Sequence, residues 1–244
     1  MPVRAVFLDL GGTLFSYRKM DRPQVELLTR AVHRLGVDVE TGPAIDAYRR
    51  ASREAWTSYA ARPFYLHRDL FRHTFGGFAR RLGGEATVEF LDWFHEEQLD
   101  LAVSHMELRP GCEQTLSRMR AAGLHVGIVS NIDEDYLRPM LKRSGLDSLV
   151  DARTSSEEAQ SCKPDSRIFF LALEKAAARV EEALFVGDSP EADVYGARRV
   201  GMATVLIRED GPPPPGTGAG PRQEPDHEIR ELPELLEIAR VAES

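Results

Sequence analysis

Val6-Phe7-Leu8-Asp9-Leu10-Gly11-Gly12-Thr13-Leu14 is a short apolar run that stops at an acidic residue and then a pair of glycines. The same design returns along the chain. Val126-Gly127-Ile128-Val129 runs into Ser130, Leu184-Phe185-Val186 into Gly187-Asp188, and Thr204-Val205-Leu206-Ile207 into Arg208-Glu209. Each run is continuous rather than alternating and is followed by helix-like sequence, which predicts strands buried on both faces of a parallel sheet built from βαβ units. Ligands of such α/β sheets sit outside the carboxyl ends of the strands. Asp9, Ser130 and Asp188, far apart in the chain, are therefore expected to share one crevice.

The texture changes between Phe15 and His105. Strand-like runs give way to long amphipathic stretches, with helices expected over Gln24 to Leu35, Pro43 to Ala60, His67 to Leu82 and Thr87 to Ala102. The chain thus divides into a core, residues 1–15 and 106–244, and an α-helical insertion, residues 16–105, placed to cover the crevice. Pro and Gly dominate residues 211–225, which read as a flexible surface loop.

Composition narrows the function classes. The 244 residues carry a formal net charge of -8, which opposes non-specific binding to nucleic acid and predicts no nucleic-acid partner. No apolar run approaches the roughly 20 residues of a membrane span, so no membrane partner is expected. Cys112 and Cys162 form no metal-type pair, and the N-terminus runs straight into a strand without a signal-like segment, which makes a reducing cytoplasm the expected location. Oligomeric state leaves no mark on the sequence.

Four clusters carry the chemistry: Asp9 through Leu14, Ser130-Asn131, Cys162-Lys163-Pro164-Asp165, and Gly187-Asp188-Ser189-Pro190-Glu191-Ala192-Asp193. Singly they have ordinary readings, as a turn, a helix N-cap, a loop lysine and another turn. In this order, at strand ends, they resemble the four motifs of the haloacid dehalogenase-like hydrolase superfamily, with the helical stretch similar to the cap that family inserts after its first motif. The resemblance implies a Rossmann-like, doubly wound core and a Mg²⁺-dependent hydrolase that works through a covalent aspartyl intermediate. Asp9 would be the nucleophile. Asp9, the backbone carbonyl of Gly11 and Asp188 would hold Mg²⁺, with Asp193 behind them orienting Lys163 or metal-bound water. Ser130 and Lys163 would bind the transferring phosphoryl group, Asn131 would add a neutral donor, the amides of Gly11 and Gly12 would form an anion cradle, and Thr13 would steady the loop and contact phosphate. A small phosphorylated organic molecule is the implied substrate.

One position departs from the pattern. Phosphatases that this chain resembles carry a second Asp two residues after the nucleophile, where it protonates the leaving oxygen and then activates water; here that residue is Gly11. General acid–base help is worth about 10² to 10⁴ in rate, so three other readings compete. A binding protein without turnover would need no proton donor. A phosphonatase would need a Schiff-base lysine, and only Lys19 lies near the insertion. A dehalogenase would carry Tyr in place of Gly11 and would lack Gly187-Asp188. The cap histidines His33, His67, His73 and His95 are candidate replacement donors.

Overall fold

The computed structural model describes residues 2–60, 62–209 and 220–241. Eight strands alternate with helices in chain order: β1 (Ala5–Leu8), β2 (Phe15–Ser16), α1 (Asp21–Arg34), α2 (Thr41–Ala60), α3 (His67–Arg81), α4 (Val88–His105), β3 (Glu107–Leu108), α5 (Cys112–Ala121), β4 (His125–Ser130), α6 (Glu134–Ser144), β5 (Ala152–Ser155), α7 (Ser156–Ala159), α8 (Ser166–Ala176), β6 (Ala183–Gly187), α9 (Tyr195–Val200), β7 (Ala203–Ile207), β8 (His227–Ile229) and α10 (Leu235–Ile238). Six strands form one sheet in the order β5-β4-β1-β6-β7-β8. Every neighbouring pair in it is parallel.

The apolar runs become strands because both of their faces are covered. Val6, Leu8, Val126, Ile128, Leu184 and Val186 pack with Leu116, Met119, Leu137 and Leu141 on one side. Ala5, Phe7, Val129, Ala183 and Phe185 pack with Ile168, Phe169 and Leu173 on the other. Burying each such side chain contributes about 1.5 to 3 kcal/mol, which is why the strands tolerate no polar alternation. The register sets Leu8 opposite both Ile128 and Val186. Asp9, Ser130 and Asp188 therefore leave the sheet at nearly one level, beside the central strand where the direction of winding reverses.

Between β2 and β3 lie the four long helices, each within three residues of its expected range at both ends. They bury Leu27, Leu28, Phe75, Phe78, Phe90 and Phe94 in a hydrophobic cluster separate from those of the sheet. Phe75 and Phe94 stack there with ring centroids 4.0 Å apart. Thr87 closes the start of α4 by accepting a hydrogen bond from Phe90 N. The chain enters and leaves this insertion through the antiparallel pair β2 and β3, in which Phe15 faces Leu108. Two-residue strands carry no periodicity, so neither was legible in the sequence. β5 and β8 also went unread: β5, Ala-Arg-Thr-Ser, and β8, His-Glu-Ile, occupy the two sheet edges and carry polar residues in place of a continuous apolar run. Of the Pro- and Gly-rich stretch 211–225, residues 211–219 lie outside the described residues.

Candidate active site

Lys163 is the hub of the crevice. Its side chain is almost wholly buried, and Nζ donates to Asp9 Oδ1 at 2.6 Å, Asp193 Oδ1 at 2.6 Å and the Val129 carbonyl at 3.0 Å. These two carboxylates hold its ammonium charged, against the burial that alone would lower its pKa. The backbone around Lys163 is clamped by Asn131, whose Oδ1 accepts from Lys163 N and whose Nδ2 donates to Lys163 O. Asn131, expected as a neutral donor to the phosphoryl group, lines the cavity and also positions the lysine loop through both polar atoms of its amide.

Asp9, Asp188 and Asp193 bring one carboxylate oxygen each within 4.8 Å of the others. Three acids around one lysine leave surplus negative charge in a buried place. Burial, and then the carboxylates of Asp9 and Asp193, raise the Asp188 pKa well above its ordinary value. Burial also pushes Asp193 up to about 6, although Lys163 opposes the shift. A hard divalent cation would relieve this strain, so the donor set fits Mg²⁺. Gly187 and Gly12 leave room for the acids: a Cβ on Gly187 would stand 2.2 Å from Asp193 Oδ2, and one on Gly12 would stand 2.1 Å from Asp188 Oδ2. Gly12 also adopts φ +75°, a left-handed conformation that side-chain-bearing residues rarely take. Asp193 Oδ2 accepts from Ser189 N at 3.0 Å, which fixes the whole fourth cluster.

Metal binding must expel the protons that burial keeps on this cluster. Without metal, the folded state holds protons that the unfolded chain has already released, so this cluster's stabilisation is full below the ordinary carboxylate range. It is lost as pH rises through about 6, the Asp193 value. Mg²⁺ held by these acids would reverse the trend, because it would bind the ionised form. Its stabilisation, read as a shift in melting temperature, is expected to be larger at pH 7.5 than at pH 5.5; a larger shift at pH 5.5 would contradict this account.

Thr13 corrects one expectation. It is wholly buried, its hydroxyl has no hydrogen-bond partner among the described residues to brace the loop, and it is not among the residues that line the cavity. The loop is braced by a residue the sequence reading missed. Arg109, also buried, donates to the carbonyls of Gly12 at 2.8 Å, Arg208 at 2.9 Å and Arg230 at 2.7 Å. Its partners lie about 100 residues away along the chain, and only its place just before Pro110-Gly111 set it apart.

A second missed residue changes the meaning of Gly11. Tyr17 follows β2, and its backbone N donates to Glu209 Oε2 while the neighbouring Ser16 hydroxyl donates to Glu209 Oε1 at 2.5 Å. Tyr17 exposes 41 % of its surface, yet its hydroxyl end leans over the first loop. A Cβ on Gly11 would stand 2.1 Å from the Tyr17 hydroxyl. The place of the missing aspartate is thus not empty, as expected from the sequence, but filled by a phenol. Burial, and then Asp188 and Asp9, push that phenol well above its ordinary pKa and keep it protonated.

The insertion docks on the core through Asp133, a fully buried acid whose Oδ1 and Oδ2 accept from His67 N and Arg68 N, both at 2.9 Å. This places a core carboxylate at the N-terminus of α3, where exposed amide groups and the helix dipole favour a negative charge. His67 alone of the four cap histidines lines the cavity. Burial, and then the Lys163 charge, lower its pKa to about 4, so it is neutral near pH 7. Lys19 lies outside the cavity and is ion-paired to Glu107 at 2.7 Å, which removes the one lysine that a Schiff-base reading could use. Asp9, Gly11, Ser130, Asn131, Lys163, Asp188 and Asp193 all line a single cavity of about 430 Å³ between core and insertion.

A lysine-linked pair of carboxylates thus lies at the carboxyl edge of a parallel sheet, roofed by a helical insertion. The family follows from sequence: the model described as haloacid dehalogenase-like hydrolase matches residues 3–201, and the chain belongs to that family. Among similar proteins, ribulose-1,5-bisphosphate 5-phosphatase of Halopiger xanaduensis is 29% identical, over 96% of this chain and 98% of its own length. Glyceraldehyde 3-phosphate phosphatase of Methanopyrus kandleri is 27% identical over 98% of this chain and 97% of its own. The crystal structure of the HAD-hydrolase YfnB from Bacillus subtilis, bound to magnesium, superposes with a TM-score of 0.78 at 18% identity, covering 99% of this chain and 100% of YfnB. The chain is a hydrolase with this fold, and no helix among its described residues is long and apolar enough to cross a membrane.

Proposed function

We propose that this hydrolase is a Mg²⁺-dependent phosphatase of a small organic phosphate, with Asp9 as nucleophile. The observation that carries the reading is the Lys163 ammonium held at 2.6 Å from both Asp9 and Asp193, inside an acidic cluster suited to one divalent cation. Phosphatase-named relatives over the whole chain support it. Mg²⁺, held by Asp9, Asp188 and the Gly11 carbonyl, would supply charge neutralisation between two anions that otherwise repel.

The protein's own groups do the rest. Lys163 fixes one Asp9 oxygen, so the other is free to attack phosphorus in line. Ser130 stands in the cavity wall as a donor to phosphoryl oxygen, and Lys163 offsets the charge that builds beside Asp9. The ester P–O bond breaks as the Asp9–phosphorus bond forms, and water then attacks phosphorus to free Asp9 and inorganic phosphate. Gly11 puts no carboxyl group at the position two residues after Asp9, so turnover is expected to fall with the basicity of the leaving alcohol. A binding protein without turnover remains the competing reading, favoured by the ring of Tyr17 over Gly11.

The two separate cleanly. Purified protein with Mg²⁺ is expected to release phosphate from p-nitrophenyl phosphate, to stop when EDTA is added and to resume when Mg²⁺ is restored. Tight phosphate binding with no release under any of these conditions would establish the binder instead.

A further inference from the structure

The residues assigned to the phosphoryl site make up only part of the cavity lining. The rest is walled by aromatic and thioether side chains that the chemistry above does not use. Ring contacts run without a break from the insertion to the core: Trp56 to Tyr65 at 6.4 Å, Tyr65 to His67 at 4.9 Å, His67 to Phe71 at 6.2 Å and Phe71 to Tyr136 at 5.6 Å. Met20 and Met140 complete that wall. The Tyr136 hydroxyl is engaged with His95 Nδ1 at 3.4 Å.

Charge at the wall is as informative as its apolarity. Four acids line the cavity, Asp9, Asp188, Asp193 and Glu191, against two permanent cations, Lys163 and Arg62. Lys163 is engaged on two of the acids. Arg62 lies 4.0 Å over the ring of Tyr59. A second phosphate or carboxylate on the substrate would leave water for a place that offers it no cluster of cations, at a cost in desolvation. An apolar body would instead gain from every methylene it buries. The volume of about 430 Å³ is within the range of sites that enclose a whole organic ligand.

We propose that this half of the cavity selects phosphate monoesters of bulky, uncharged apolar or aromatic alcohols, and discriminates against substrates that carry a second anionic group. This rests on the phosphatase reading above and names its substrate class. Phe71 and Trp56 are the specificity-determining residues: they meet the leaving group and leave the reacting atoms alone.

A series of n-alkyl phosphates from ethyl to octyl tests it, because the leaving alcohols differ little in basicity and differ greatly in apolar surface. With Mg²⁺ present, kcat/KM is expected to climb about fourfold per methylene until the wall is filled. Octyl phosphate should then exceed ribulose 1,5-bisphosphate and glyceraldehyde 3-phosphate by roughly 100-fold, as several buried methylenes multiply. Phe71→Gln, shown to be folded by circular dichroism, should flatten the slope, the octyl-to-ethyl ratio of kcat/KM falling at least about tenfold from the parent's. A flat series with measurable turnover, or faster cleavage of the bisphosphate than of octyl phosphate, overturns the proposal and leaves the phosphatase reading standing. No phosphate from any ester overturns both.

Discussion

Replacing Asp9 by Asn lowers Mg²⁺-dependent phosphate release by roughly 10⁴ to 10⁶ in kcat, the scale on which hydrolases that use a covalent intermediate lose activity when the nucleophile is removed. The amide is nearly isosteric but carries no charge and offers a poor nucleophile. The Lys163 ammonium would keep Asp193 as a partner at 2.6 Å, so the fold should survive and the loss can be read as chemistry. Some stability will still change, since one of three clustered acids disappears beside a buried cation. Thermal unfolding of the variant beside the parent separates that effect from loss of turnover. Retained activity in a folded Asp9→Asn protein would remove Asp9 from the mechanism.

The second large effect concerns Gly11. On the phosphatase reading, Gly11 forgoes acid–base help worth about 10² to 10⁴, and a carboxyl at that position should recover part of it for alcohols that leave poorly. Sequence alone predicts that Gly11→Asp suffices. The structure predicts that it does not, because the new Cβ would meet the Tyr17 hydroxyl at 2.1 Å and its ring carbon at 3.0 Å. The Ser16 and Tyr17 contacts to Glu209 hold the Tyr17 backbone beside the loop, so the ring can clear the position only by rotating its own side chain. Gly11→Asp alone should therefore leave turnover of an alkyl phosphate unchanged or lower. Combined with Tyr17→Ala it should exceed Tyr17→Ala alone by about 10² or more. The pair thus behaves non-additively, as residues sharing one space do. Equal gains from Gly11→Asp in both backgrounds would show that Tyr17 does not obstruct the position.

What the sequence revealed and what it hid follow one physical rule. Residues whose setting is local were legible: continuous apolar runs became buried strands, and the polar residues ending them converged because parallel strands end at one level. Asp9, Ser130, Lys163, Asp188 and Asp193 were found on that basis, together with their resemblance to the four motifs. Residues whose setting depends on distant chain segments were not. Arg109 holds carbonyls from three separate loops, Asp133 receives the amides of a helix about 65 residues earlier, and Tyr17 is anchored by an acid near residue 209. Thr13 shows the opposite failure: a residue placed in the site by its motif lies wholly buried outside the cavity lining. His67 lay between these cases. Its imidazole was one of four equivalent candidates until α3 docked on Asp133 and turned it toward the cavity.

The central claim is that Asp9 itself becomes phosphorylated during turnover. Acid quenching in the steady state, followed by borohydride reduction of any acyl phosphate and peptide mass spectrometry, measures this directly. The account predicts homoserine at position 9, formed only when both substrate and Mg²⁺ were present. Steady phosphate release with position 9 recovered as unmodified aspartate, and no reduced acidic residue elsewhere, would contradict it.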